Sequence, residues 1–193
     1  VERLRIIAEL PDPVGAVTAR WERPDGLQVS RMRVPIGVIG VISELSPLVM
    51  VESIALCLKS GNHCVFRGAL EWNLTSRAIE AGLREVAEKS EVPAGAWILI
   101  DRPEKDIAVE LMRSVKVLDA IIPRGGAGLR KAVMEQAKVP VLCHDGGLTQ
   151  LYVDGDTDIP MAQNMVIKAK AQLFGAANAL DTLLVQQVIG RQF

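Results

Sequence analysis

Aromatic side chains are scarce in this sequence: three Trp, three Phe and one Tyr make up 4% of 193 residues. So few rings cannot build a stacking platform for bases, and Trp21, Trp72 and Trp97 are expected to be packing residues. An excess of charge of either sign is also lacking. Twenty-two Lys and Arg against 23 Asp and Glu leave a formal charge of −1. No broad field is therefore available to hold a nucleic-acid backbone or an anionic membrane surface. Long apolar runs are absent, each being broken by charge, Gly or Pro before the roughly 20 residues needed to cross a bilayer. No basic, apolar, small-residue leader opens the chain. The three cysteines, Cys57, Cys64 and Cys143, show no metal-ligand spacing, and an odd count does not fit a disulfide framework. No metal site and a cytoplasmic location are the expectations. The sequence starts at Val1 and stops at Phe193 just after a strand-like run, so it is expected to be a piece of something longer.

What is abundant is Val, Ile, Leu and Ala within a 49% hydrophobic composition, the usual filling of a buried parallel sheet covered by helices. The length is enough for one domain, or for one domain and part of a second. Residues 1–10 read as the end of an amphipathic helix, closed by Pro11-Asp12-Pro13. Alternating stretches at 17–22 and 27–34 flank Pro24-Asp25-Gly26, a hairpin signal. From Gly37 a strand, loop, helix pattern repeats. Strands are expected at 37–42, 63–66, 97–100, 118–122 and 139–143. Helices are expected at 48–60, 73–89 and 127–137, with Gly61-Asn62 as a left-handed cap of the first. A helix at 158–172, with Ile159, Ala162, Val166 and Ala169 inward, leads through a small-residue loop to a strand at 180–185. Strands separated by helices of this length require crossovers and a mostly parallel sheet with helices on both faces, an α/β, Rossmann-like class.

Such sheets bind ligands at the carboxyl ends of their strands. The loops that qualify are 43–48, 67–69, 123–128 and 144–149. Pro123-Arg124-Gly125-Gly126-Ala127-Gly128 follows an apolar strand and opens a helix, so its glycines let backbone approach a phosphate while helix amides face the anion. A Gly-rich turn needed only for tight packing is the competing reading. Arg67-Gly68 is a second candidate, since an Arg here suits a ribose 2′-phosphate, against the plainer expectation of a solvated surface Arg. In Cys143-His144-Asp145 the neighbours point to opposite faces of an extended chain, which argues against a nucleophile and base pair. Cys57 and Cys64 sit in apolar segments and are expected in the core. His63 is expected to be structural.

Taken together, residues 33–42, then Ala55-Leu56-Cys57-Leu58-Lys59-Ser60-Gly61-Asn62, residues 122–129, Ala169-Lys170 and residues 178–185 resemble the γ-glutamyl phosphate reductases of the aldehyde dehydrogenase superfamily. The likeness implies an aldehyde-dehydrogenase-like fold and NADPH as cofactor. It also implies a phosphorylated amino acid as substrate, reduced to glutamate semialdehyde in proline biosynthesis, and a homo-oligomer paired through the hairpin. By similarity, Arg67, Gly68, Arg124, Gly125, Gly126 and Gly128 lie along the cofactor path. The implied organisation is a helix end and pairing hairpin over 1–35, a nucleotide-binding domain over 36–172, and the nucleophile loop with the first catalytic-domain strand over 173–193.

The resemblance fails where the chemistry is. The family's nucleophilic cysteine precedes an Asn in the stretch matching Asn178, which puts Ala177 in its place and leaves no thiol to form a thioester. Leu48 stands where the family has an Asn able to donate to an oxyanion, and Ser46 where it has an Arg. Leu173-Phe174-Gly175 replaces Arg-Pro-Ser. The expectation is a catalytically impaired or repurposed relative. The alternatives are an active oxidoreductase with a substitute nucleophile, such as Cys143, and a non-catalytic assembly partner.

Overall fold

The structure is a computed structural model that describes residues 2–102, 104–143, 146–172, 176 and 178–193. Two compact units divide it, residues 1–143 and 144–193. The first opens with α1 (Glu2–Glu9), then β1 (Val17–Glu22) and β2 (Gln28–Met32), an antiparallel hairpin turning at Pro24-Asp25-Gly26. The Asp25 carboxylate accepts from the Leu27 amide at 3.2 Å, which closes the turn locally.

Next come β3 (Val38–Ser43), α2 (Pro47–Lys59), β4 (His63–Arg67), α3 (Asn73–Glu88), β5 (Trp97–Ile100), α4 (Lys105–Arg113), β6 (Ala120–Arg124) and α5 (Ala127–Gln136). The sheet order is β5-β4-β3-β6, all parallel. The strands wind outward from β3 to β5 and then return to the other side of β3. The crevice between β3 and β6 is therefore the topological switch point, where such sheets take ligands.

Period-two alternation sorts the strand side chains onto two faces. Ile39 and Val41 of β3, with Cys64 and Phe66 of β4, pack against Met50, Ile54 and Cys57 of α2 and Ile79 and Leu83 of α3. Ile42, Val65 and Ile121 point the other way, onto Ala108, Leu111 and Met112 of α4 and Val133 of α5. Both faces are covered by helices, as expected for the class. Gly61 (φ +69°) turns the chain from α2 into β4, and a side chain there would also meet Pro35 Cγ at 2.8 Å. The buried Asn62 side chain accepts from the Gly37 amide at 2.9 Å and donates to Ser60 Oγ at 2.8 Å, joining that turn to the start of β3.

Several expectations need correction. Helix α4 was not anticipated. It has nine residues, and only Ala108, Leu111 and Met112 of its apolar positions are buried. The strand expected at 139–143 reduces to a single parallel bridge, Ile121 to Val141. Pro140 lacks an amide hydrogen to donate, although its carbonyl accepts from Ile121 at 2.9 Å. Trp97 is buried, but Trp21 and Trp72 are 45% and 42% exposed, so neither is the packing residue expected.

The second unit contains β7 (Gln150–Val153), α6 (Ile159–Ile167), a π-helical turn over Lys168–Gln172 and β8 (Thr182–Val185), with β7 and β8 parallel. Strand β7 was also not anticipated. Asp158 caps α6 by accepting from the Met161 amide at 2.9 Å. The change to π winding at Lys168 interrupts the expected single helix, and Ala169, expected inward, is exposed. Among the described residues no helix is long and apolar enough to cross a membrane, and no three His, Cys, Asp or Glu groups are placed to hold a metal.

Candidate functional site

Strands β3, β4 and β6 are neighbours, so their carboxyl ends bring three of the four sequence-selected loops together: 43–48, 67–69 and 123–128. In the fourth loop, His144 and Asp145 lie outside the described residues. Its far end, Thr149, enters β7 through hydrogen bonds with Asp181.

The Gly-rich turn forms as the sequence suggests, with Gly126 in extended conformation at the N-cap of α5. Its most informative neighbour was not singled out beforehand. Glu44, the first residue after β3, donates its amide to the Arg124 carbonyl at 3.0 Å and accepts at Oε2 from the Gly126 amide at 3.2 Å. A Cβ at position 125 would come within 2.5 Å of the same Oε2, so glycine is required for the carboxylate to lie this close to the backbone. Arg130 donates from Nη1 to the Gly125 carbonyl at 2.9 Å and steadies the turn from the helix side. Arg124 itself is exposed, as are Gly126 and Gly128.

Arg67 departs from the plainer expectation. It closes β4 and is only 9% exposed, a buried cation rather than a solvated surface residue. Burial pushes its guanidinium below the ordinary arginine range, while the carboxylates of Glu44, Glu104 and Glu71 oppose that shift. Its Nη2 also reaches the Glu104 carbonyl at 3.5 Å. An arginine retains its charge in such a setting, so the end of β4 carries a fixed positive group. Gly68 follows directly, with its Cα facing the Phe66 ring closely enough that a Cβ would sit 3.3 Å from Cε1.

Arg67, Glu44 and Gly128 border a cleft of about 630 Å³. Ile42, Ala108, Met112 and Leu129 give it an apolar wall, and Arg67, Glu44, Glu71 and Glu104 line its polar side. Its size and its few convergent polar groups on an apolar floor are those of a small-molecule or cofactor site. A smaller recess of about 320 Å³ beside Trp97 opens at the amino end of β5, away from these loops. Of the residues missed in the sequence, Glu44 lay inside a selected loop, while Glu104 opens the unanticipated α4.

The proposed catalytic positions divide between the units. Leu48, in the first turn of α2, is 43% exposed and offers no donor. Ser46 at the N-cap of that helix makes no side-chain cap hydrogen bond. Asn178 lies exposed in a turn, whereas Ala177, Leu173, Phe174 and Gly175 lie outside the described residues. Cys143 is exposed. Cys57 and Cys64 are buried against each other as expected; their shared hydrogen bond and then burial push the Cys64 thiol well above the usual thiol range, so it stays protonated and inert.

The Aldehyde dehydrogenase family profile matches residues 1–193. The chain belongs to the aldehyde dehydrogenase family. Its curated relatives include gamma-glutamyl phosphate reductases. That of Moorella thermoacetica is 45% identical over 190 residues, covering 98% of this chain and 46% of the relative. That of Heliobacterium modesticaldum is 41% identical over 192 residues, covering 100% and 46%. Among solved structures, the gamma-glutamyl phosphate reductase of Thermotoga maritima superposes with a TM-score of 0.87 at 38% identity, covering all of this chain and 46% of that one. The Saccharomyces cerevisiae enzyme does so with a TM-score of 0.65 at 30% identity, covering 99% and 47%. The chain thus spans about half the length of the curated relatives it matches.

Proposed function

We propose that this chain is the dinucleotide-binding portion of a γ-glutamyl phosphate reductase-like protein that holds NADPH but does not carry out the thioester step. One observation carries the reading: a buried arginine that ends β4 and Gly128 of the glycine turn line one cleft of cofactor size at the carboxyl ends of a parallel sheet. The residues suit the nucleotide end of such a cofactor. Arg67 supplies the charge for a ribose 2′-phosphate, Gly68, Gly125 and Gly126 let backbone come close, Gly128 borders the cleft on the first turn of α5, and the wall of Ile42, Ala108 and Met112 takes an adenine face. Exposed Arg124 reaches toward solvent-side phosphate oxygens. When bound, the cofactor supplies a hydride.

The relatives' names supply the substrate class, a phosphorylated glutamate. In this chain the group that would displace its phosphate is a methyl, at Ala177, and the group that would stabilise the resulting oxyanion is apolar, at Leu48. Loss of one such donor costs about 3 kcal/mol of barrier. Substitutions at 46, 48, 173, 175 and 177 all remove polar or reactive groups from the same anionic substrate, which favours a repurposed site over an isolated lesion. Saturable quenching or enhancement of NADPH fluorescence on adding the protein tests the cofactor half of this reading. A signal that stays linear in added protein, without saturation, would refute it.

The hairpin is proposed as a homo-oligomer arm. Val17, Trp21 and Met32 are 41%, 45% and 55% exposed, and Val17 pairs with Met32 across the strands as Trp21 does with Val29. That leaves an apolar ribbon with nothing from its own strands to cover it. The double substitution Trp21→Lys, Met32→Lys is expected to shift the sedimentation profile from oligomer to monomer while leaving the far-ultraviolet circular dichroism unchanged. An unaltered sedimentation profile would exclude the arm.

A further inference from the structure

The amides that open α5 beside the cleft attract anions, and the Gly126 amide is already engaged by a side chain. The Glu44 carboxylate accepts from the Gly126 amide at 3.2 Å and lies 2.5 Å from where a Cβ on residue 125 would be. Glu44 is itself exposed, tethered to this place only through the loop after β3, whose backbone is fixed by the Glu44 amide to Arg124 carbonyl bond at 3.0 Å. The backbone is therefore held while the carboxylate is able to rotate away by side-chain torsion alone.

We infer that Glu44 is an internal anion that occupies the phosphate position of the cleft, so that a nucleotide's diphosphate binds only by displacing it. This deepens the proposed function and rests on its reading of the cleft as a nucleotide site. The physical basis is competition. A diphosphate and a carboxylate seeking the same amides at the start of α5 repel each other if both stay, and like charges a few ångströms apart at a protein surface cost on the order of a tenfold change in affinity. Glu71 and Glu104, the other carboxylates around Arg67, touch no amide of the turn among the hydrogen bonds of the described residues, so the role falls to Glu44. It is a positioning and specificity residue. It steadies the turn, and it reduces what a phosphate gains by entering.

The consequence separates phosphate from nucleoside. In the unmodified chain ADP should bind within about threefold of adenosine, because the gain from the diphosphate is offset by displacing Glu44. In Glu44→Gln, ADP should tighten about tenfold while adenosine stays unchanged. Loss of the carboxylate also weakens the cap on α5, so the variant's melting temperature should fall as its ADP affinity rises, a pair of changes that a purely structural role does not produce. Calorimetric titration of both proteins with ADP and with adenosine reads all four affinities. ADP binding a hundredfold tighter than adenosine to the unmodified chain would overturn the inference even if the variant failed to fold. So would ADP binding to Glu44→Gln that is equal or weaker. If neither ligand binds either protein, the nucleotide reading of the cleft falls, and this inference with it.

Discussion

Arg67→Leu is expected to weaken NADPH binding by about 30-fold while changing NADH binding by no more than about threefold. A charge-assisted hydrogen bond to a phosphate contributes on the order of 2 kcal/mol, and only NADPH carries the 2′-phosphate that would receive it. Leucine keeps most of the apolar stem packed at the end of β4, and the carboxylates of Glu44, Glu71 and Glu104 are exposed enough to remain hydrated when the guanidinium goes. The fold should therefore survive, and circular dichroism on the same sample checks that. Parallel fluorescence titrations with the two cofactors give the ratio. An equal loss for NADH and NADPH would move Arg67 from 2′-phosphate recognition to general support of the cleft.

The second large effect is in the chemistry. With a methyl at position 177, incubation with an acyl-phosphate substrate should add no covalent mass to the protein, because the thiol that would form the thioester is absent. Cys57 and Cys64 are buried, out of reach of a substrate. Ala177→Cys should restore a thioester detectable by intact-protein mass spectrometry. Hydride transfer should still lag by roughly 10²- to 10³-fold until Leu48→Asn is added, since the oxyanion then lacks its donor. An Ala177→Cys variant that turns over at full rate would mean the rest of the pocket is sounder than its sequence suggests. A covalent adduct on Cys143 in the unmodified chain would favour a substitute nucleophile instead.

The sheet was legible because β3, β4 and β6 are runs of buried apolar residues ended by polar loops, and neither face needs polar side chains when helices cover both. Gly61 and the Pro24-Asp25-Gly26 turn were legible because backbone geometry dictates their residue types. Short elements were less so. Helix α4 presents about two turns of pattern and β7 only four residues beginning with Gln150, too little periodicity to stand above the surrounding loops. The apolar segment 139–143 reads as a strand, but Pro140 has no amide hydrogen for a ladder and only one bridge forms.

The site was half visible. Its glycines and arginines announced themselves by position after strands, but the burial of Arg67 and the closeness of Glu44 to the turn depend on which loops the strand order makes neighbours. A single sequence does not state that order. Arg67 at a strand end reads as solvated until β3 and the start of α4 are placed beside it. Trp21 shows the converse: an aromatic side chain in an alternating strand reads as core, yet its ring is largely exposed on the hairpin.

The most direct test of the account follows NADPH fluorescence and absorbance in one cuvette as the unmodified protein is added to saturation and phosphorylated glutamate is then supplied. The prediction is a saturable binding signal followed by no consumption of the reduced cofactor. Steady loss of NADPH on adding the substrate would contradict it.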